Sequence, residues 1–337
     1  HSDGAGLKAG ILVARAVLVL PVLLLVLAAC LLWFGQFSPV AVLLALALAG
    51  VALPLLWWRE KPATGLRRRA DMPATFALMD ALTAAMGAPK IDGIEVNAEL
   101  NAHVRQQKGE RILGLGALLW QALGPEERLA VLAHEVGHLI NDDPRRKGPI
   151  WKALTVLSRL EYFFTPTRRD EIEVRWFFAP IALAIAALQG LLERLSFMAS
   201  QRAEYRADAL AARTAGAPAM IRALELFALS DLSQRAWRSL HSATSPTGRA
   251  LIERLADSMT KASETDKARL LSAMRDEEWQ IDQSHPATVY RLAFVSQLRG
   301  AETPGFDETP FRADLSVEWA GILEDQGRRL HDRLHRQ

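Results

Sequence analysis

Two runs near the start of the chain carry no charge: Ala16–Phe34 (AVLVLPVLLLVLAACLLWF) and Val40–Trp58 (VAVLLALALAGVALPLLWW). No other feature limits the fold as severely. A helix rises about 1.5 Å per residue, so each run reaches roughly 28 Å, close to the hydrocarbon thickness of a bilayer. Trp33, Trp57 and Trp58 stand at run ends, where indoles favour the membrane interface. The competing reading of the first run is a cleaved signal peptide. Its length, Pro21, its Trp33-Phe34 end and a second run beginning five residues later speak against that. The sequence therefore predicts a transmembrane hairpin, with helices over about 11–34 and 39–58.

The flanks give an orientation. Lys8 and Arg15 lie before the first run, and Arg59, Lys61, Arg67, Arg68 and Arg69 follow the second, while the connecting GQFSP has no charge. Positive flanks stay in the cytoplasm, so both ends of the hairpin are expected there. Cys30 is the only cysteine and sits inside the first run, which excludes an intrachain disulfide and fits a reducing compartment. The 337 residues are 23% charged with a formal net charge of +2. They show no sustained basic groove with interleaved aromatics, so no nucleic-acid partner is expected. His1 and Ser2 read as an expression remnant and carry no weight.

Residues 59–71 (REKPATGLRRRAD) read as a basic linker. Residues 72–300 then predict one domain that is mainly α with a small β-sheet, an α+β class. PATFALMDALTAAMG carries Phe76, Leu78, Met79, Leu82 and Met86 on a stripe that ends at Gly87. GIEVNAELNAHVRQQ reads as strands with turns, and alternating ERILGLG as one more strand. ALGPEERLAVLAHEVGHLIND is a helix with Pro125, Glu126 and Glu127 in its first turn. Residues 176–192 (WFFAPIALAIAALQGLL) form a third, shorter charge-free run, set between the charged break TPTRRDEIEVR and a further helix. Several amphipathic helices follow over 217–300. Residues 301–337 form a charged helical extension, with a last helix from about Leu315 expected on the outside.

The chemistry centres on His134, Glu135 and His138, in the order H-E-x-x-H. Residues four apart share one helix face, so both histidines can offer ring nitrogens to one zinc ion. Glu135 is then placed to act as general base on a metal-bound water. The motif arises by chance in roughly one chain in a hundred of this size, so its place on a well-patterned helix matters. A catalytic zinc needs a third protein ligand. SQRAEYRADALA offers Glu204, with Asp208 one turn on and suited to hydrogen-bond a ligand histidine. Taken alone, that segment also reads as a solvated, Arg-rich face. QSHPATVYRLAF supplies His285 and Arg291, which could donate to a developing oxyanion, or simply cap and pack a helix.

Two N-terminal spans, then HEVGH, AEYRAD and SHPATVYR in that order, resemble the HtpX-type membrane zinc metalloproteases, gluzincins related to the CAAX prenyl proteases and the minigluzincins. The resemblance runs from about Ile11 to Leu298. It implies one Zn2+ per chain on His134, His138 and Glu204, with Glu135 as base and Asp208 in support. It places His285 and Arg291 on the substrate side. It also implies that ELNAHV is an edge strand that binds substrate through Asn101, Ala102 and His103; the aromatic and small residues common after Asn-Ala are here His103 and Val104. The family commonly has a hydrophobic hairpin before the Glu-bearing helix, and here only 176–192 qualifies. All ligands must meet on one side of the bilayer, so crossings between His138 and Glu204 are even in number. Two would draw Arg159 and Glu161 into hydrocarbon, at a cost unless they face protein. The expectation is none, with a four-span plan as the alternative. The function implied is a zinc endopeptidase in membrane-protein quality control, in a bacterial inner membrane with its catalytic domain cytoplasmic. Its partners would be membrane or misfolded polypeptides and the lipid bilayer. A prenyl-protein protease and an inactive membrane scaffold are the alternatives.

Overall fold

A computed structural model describes residues 3–56, 65–164, 172–240, 245–275, 287–298 and 303–335. Trp57, Trp58, residues 59–64 of the linker and His285 lie outside these described residues. In chain order the elements open with α1 (Asp3–Phe34), α2 (Pro39–Leu56), β1 (Leu66–Arg67), α3 (Pro73–Ala85), β2 (Gly93–Asn97), β3 (Ala102–Gln107) and β4 (Glu110–Gly116). They continue with α4 (Ala117–Ala122), α5 (Pro125–Ile140), α6 (Asp143–Phe164), α7 (Ile172–Ala215) and α8 (Ala217–Ala228). The last are α9 (Ser230–Arg238), α10 (Arg249–Thr260), α11 (Glu264–Arg275), α12 (Thr288–Ser296) and α13 (Arg312–Leu334). The class is α+β, as the periodicities predict.

The chain divides into two compact units. One comprises α1, α2, most of α6 and the first part of α7. Its core joins Ala14 and Val17 of α1, Leu55 of α2, Ile150, Ala153, Leu157 and Leu160 of α6, and Ile185 and Leu192 of α7. The α6 residues recur at three and four, the stripe of a helix buried along one face. Outward, Leu12, Trp33, Phe34, Val40, Leu43, Leu46 and Leu183 are each more than 60% exposed, an exterior suited to lipid and costly in water. Three helices among the described residues are long and apolar enough to cross a membrane: Ala5–Phe34, Pro39–Leu56 and Phe178–Ala215. The third contains the 176–192 run from Phe178 onward, and α7 continues without a break through Glu204.

The other unit is built on a four-stranded sheet in the order β1-β2-β4-β3. β3 and β4 form a hairpin through Lys108 and Gly109, both at positive φ (51° and 89°), the signature of a two-residue type I′ turn. β2 pairs with β4 in parallel. Strand alternation sends Ile94, Val96, Leu113 and Leu115 to one face, where they join Phe76, Met79 and Leu82 of α3 and Leu129, Leu132 and Val136 of α5. The opposite face carries Glu95 and Arg105, paired at 2.8 Å. A second cluster gathers Leu118 and Leu119 of α4, Leu226 of α8, and Leu251, Leu255 and Met259 of α10.

The C-terminal helix was expected on the outside. It lies against the domain but contributes to both cores, Trp319 to the first and Leu323 to the second. Trp319 stacks on Trp120 with ring centroids 4.1 Å apart, and its indole donates to Thr75 Oγ1 at 3.0 Å. Beside it Glu318 accepts from the backbone N–H groups of Ala74 (2.7 Å) and Thr75 (3.0 Å) and from the Thr75 hydroxyl. Helix α3 has no side-chain cap of its own, because Met72 stands at its N-cap. Glu318 performs that function from the far end of the sequence and faces the positive end of the helix. Glu318→Ala is expected to destabilise this unit by about 1–3 kcal/mol, read as a lowered midpoint of thermal unfolding. An unchanged midpoint would show that water replaces the cap.

Candidate metal centre

Helix α5 begins at Pro125, whose missing N–H costs nothing in a first turn. Glu126 and Glu127 follow and pair with Arg222 of α8, Glu126 at 2.7 Å. Leu129, Leu132 and Val136 fasten the helix to the sheet side of the core. Its other face meets α7 at Gly137. A Cβ there would lie 3.0 Å from Ala207 Cα and 3.2 Å from Ala207 Cβ. Ala203, Ala207 and Ala211 are all buried on α7. Small residues on both helices permit an approach close enough for a short side chain on α7 to reach the histidines of α5.

Glu204 makes that reach. His134, His138 and Glu204 are buried, and one ligand atom from each lies within 4.8 Å of the other two. The two Nε2 atoms are 3.1 Å apart. Glu204 Oε2 is 3.5 Å from His134 Nε2, and Oε1 is 3.5 Å from His138 Nε2. Zinc–nitrogen bonds of 2.0–2.1 Å at tetrahedral angles set neighbouring ligand atoms roughly 3.3 Å apart. The triad therefore has the spacing of three tetrahedral positions around one zinc ion per chain.

The far nitrogens support the same conclusion. Asp143 Oδ2 is 3.0 Å from His138 Nδ1. Asp208 Oδ1 is 2.9 Å from His134 Nδ1, in ion-pair contact. Carboxylates at both Nδ1 atoms keep the protons there and leave the Nε2 lone pairs facing each other. Two lone pairs and a carboxylate converging in a buried space suit a cation. Arg291 anchors Asp208 through two bonds, Nε to Oδ2 at 2.8 Å and Nη2 to Oδ1 at 2.6 Å, and its Nη1 is 3.9 Å from Glu204. Glu135 is 7% exposed, and its charge acts on both His134 and Arg291.

Six of the residues singled out in the sequence thus meet: His134, Glu135, His138, Glu204, Asp208 and Arg291. Arg291 directs its fork at Asp208, a supporting position behind the ligands. Asn101, Ala102 and His103 stand outside the cluster, at the start of edge strand β3 beside α5. His285 lies outside the described residues. Asp143 was missed. Its only sequence signal is an acidic pair just beyond the helix, and Asp142 adopts φ 56°, the left-handed turn that brings the next side chain back onto His138.

Two imidazoles and one carboxylate on two helices, with a glutamate next to the first histidine, make the donor set of an H-E-x-x-H zinc site. Residues 73–299 match Peptidase family M48, and the chain belongs to that family. It is 33% identical over 183 residues to Protease HtpX of Chromohalobacter salexigens. That match covers 50% of this chain and 61% of the relative. No solved structure matches the chain.

Zinc binding is expected to be coupled to protons. Burial disfavours charge on His134, but Asp208 and Glu204 outweigh it and raise its pKa to about 9 from 6.5. In protein stripped of metal, the stability this proton contributes is complete below pH 6.5 and is lost as pH rises through 9. Zinc must displace the same proton, so apparent affinity should climb about tenfold per pH unit between roughly 7 and 9 and then level off. Competition with a zinc indicator across that range measures it, and a flat profile would contradict it.

Proposed function

We propose that the protein is a membrane-anchored zinc endopeptidase that cleaves membrane or misfolded polypeptides. The observation that carries this is the convergence of His134, His138 and Glu204 with the buried Glu135 at their side. Zinc, when bound there, supplies Lewis acidity and makes a water acidic enough to lose a proton near neutral pH. Glu135 would take that proton and deliver it to the leaving amine. Asp143 and Asp208 keep His138 and His134 in the tautomer that offers Nε2. Arg291 positions Asp208, and the family resemblance assigns His285 to the substrate side, as an oxyanion donor.

Substrate is gripped by its backbone at β3. In this hairpin Gly116 donates to the carbonyl of Asn101 at 2.9 Å, and the register pairs Ala102 with Leu115 and His103 with Gly114. Antiparallel bonding alternates, so Asn101 and His103 use their backbone groups on β4, while those of Ala102 and Val104 point to the open edge. An extended peptide can add there as a further strand. His103 lays its ring against Gly114, on the sheet face opposite the core.

The anchor is α1 with α2, in a bacterial inner membrane, with the metal centre cytoplasmic. Two observations support α6 and α7 entering the bilayer as a pair. Both share one apolar core with α1 and α2. Glu161, near the end of α6, accepts from Gln189 Nε2 of α7 at 3.3 Å, a polar contact that joins the two helices. Paired entry also keeps the number of crossings before Glu204 even.

Casein hydrolysis with and without a chelator tests the activity, and Ala102→Pro tests the strand. The proline removes an outward N–H without touching the β3–β4 ladder. Expected results are hydrolysis abolished by chelator and restored by zinc, and a fall of about tenfold or more in Ala102→Pro with zinc retained. Chelator-resistant hydrolysis would refute the zinc mechanism. Unchanged cleavage by folded Ala102→Pro would refute the strand.

A further inference from the structure

We propose that a groove between α2 and α6 binds the phosphate headgroup of an anionic phospholipid. The groove has a volume of about 420 Å³ and is lined by Pro54 and Leu55 of α2 and by Thr155, Ser158, Arg159 and Tyr162 of α6. The four α6 residues are spaced three, one and three apart, one face of a helix. That face carries two hydroxyls, a guanidinium and a phenol, and it meets an apolar wall on α2. A headgroup with its glycerol and first acyl carbons has the same division, anionic at one end and apolar at the other.

The donors along this face suit an anion. The planar fork of arginine matches two phosphate oxygens, and hydroxyls supply further donors. The acid that would repel phosphate is drawn aside: Glu161 is not among the lining residues and accepts from Gln189 on α7 at 3.3 Å. The same amide donates to Ser158 Oγ at 3.3 Å, so that hydroxyl keeps its proton for another acceptor. The depth also agrees. Leu55 is the penultimate residue of α2, and the sequence continues Trp57, Trp58, Arg59 and Lys61, residue types that settle at the headgroup level. Basic pockets among membrane helices on the cytoplasmic side recognise anionic headgroups by this chemistry.

The inference rests on the membrane-anchored reading and is independent of the peptidase chemistry. Its test is native mass spectrometry of the full chain in detergent, titrated with phosphatidylglycerol or phosphatidylcholine. Wild type should retain phosphatidylglycerol about fivefold more strongly than phosphatidylcholine, and Arg159→Gln should erase that preference. Leu55→Trp, which fills the apolar wall and leaves the charge, should weaken retention of both lipids. Zinc content and circular dichroism report the folding of each variant. If Arg159→Gln does not fold, Leu55→Trp decides alone: lowered retention supports the site and unchanged retention overturns it. Equal retention of the two lipids by wild type, or a preference surviving in Arg159→Gln, would overturn the proposal. So would competition by soluble glycerol 3-phosphate as strong as by the intact lipid. Extraction of the chain from membranes by carbonate without detergent would instead refute the anchor itself.

Discussion

Two imidazole nitrogens 3.1 Å apart, with a carboxylate 3.5 Å from each, repel or attract according to what lies among them. With both Nδ1 atoms facing carboxylates, the lone pairs of the Nε2 atoms oppose each other, and only a proton or a cation relieves them. Much of the surrounding fold serves to impose that arrangement. Gly137 and Ala207 let α5 and α7 approach. Asp143 and Asp208 hold the rings, and Arg291 holds Asp208 with a fork of two bonds. Each layer is largely shielded from solvent, so each depends on the next for its charge balance. Removing one member leaves an uncompensated charge inside the protein, which is why these residues act together.

A second constraint comes from α7. It is one helix of 44 residues, about 66 Å long, with an apolar first half and Glu204 and Asp208 in its second. Continuity of the helix links a segment suited to lipid to one that presents a metal ligand. In α6 the connection is similar: Asp143 at its first turn faces His138, and its later turns join the apolar core with α1 and α2. Of the two helices that follow the H-E-x-x-H motif, α6 carries Asp143 and α7 carries both Glu204 and Asp208.

What the sequence revealed is local. The α5 helix was legible from Pro125, its acidic first turn and its apolar stripe, and the i, i+4 spacing of His134 and His138 follows from helix geometry alone. The strands were legible from alternation, as was the edge character of ELNAHV once the family resemblance was drawn. Relations across long separations were not. Glu204 stands 66 positions after His138 in the numbering, and no periodicity says that its helix packs on α5; only the resemblance did. The cap that Glu318 places on α3 spans 244 residues. The choice between Asp142 and Asp143 depends on one backbone reversal. The parallel pairing of β2 with β4, with the β3 hairpin turned to the edge, is a property of the assembled sheet.

The central claim is that Glu204 completes a zinc site while Glu135 works beside it without holding the metal. Zinc content by mass spectrometry, measured together with hydrolysis in wild type, Glu204→Ala and Glu135→Gln, separates the two roles. The account predicts one zinc per chain in wild type and in Glu135→Gln, a large loss in Glu204→Ala, and hydrolysis abolished in both variants. Wild-type zinc content in Glu204→Ala, or near-normal turnover by zinc-loaded Glu135→Gln, would contradict it.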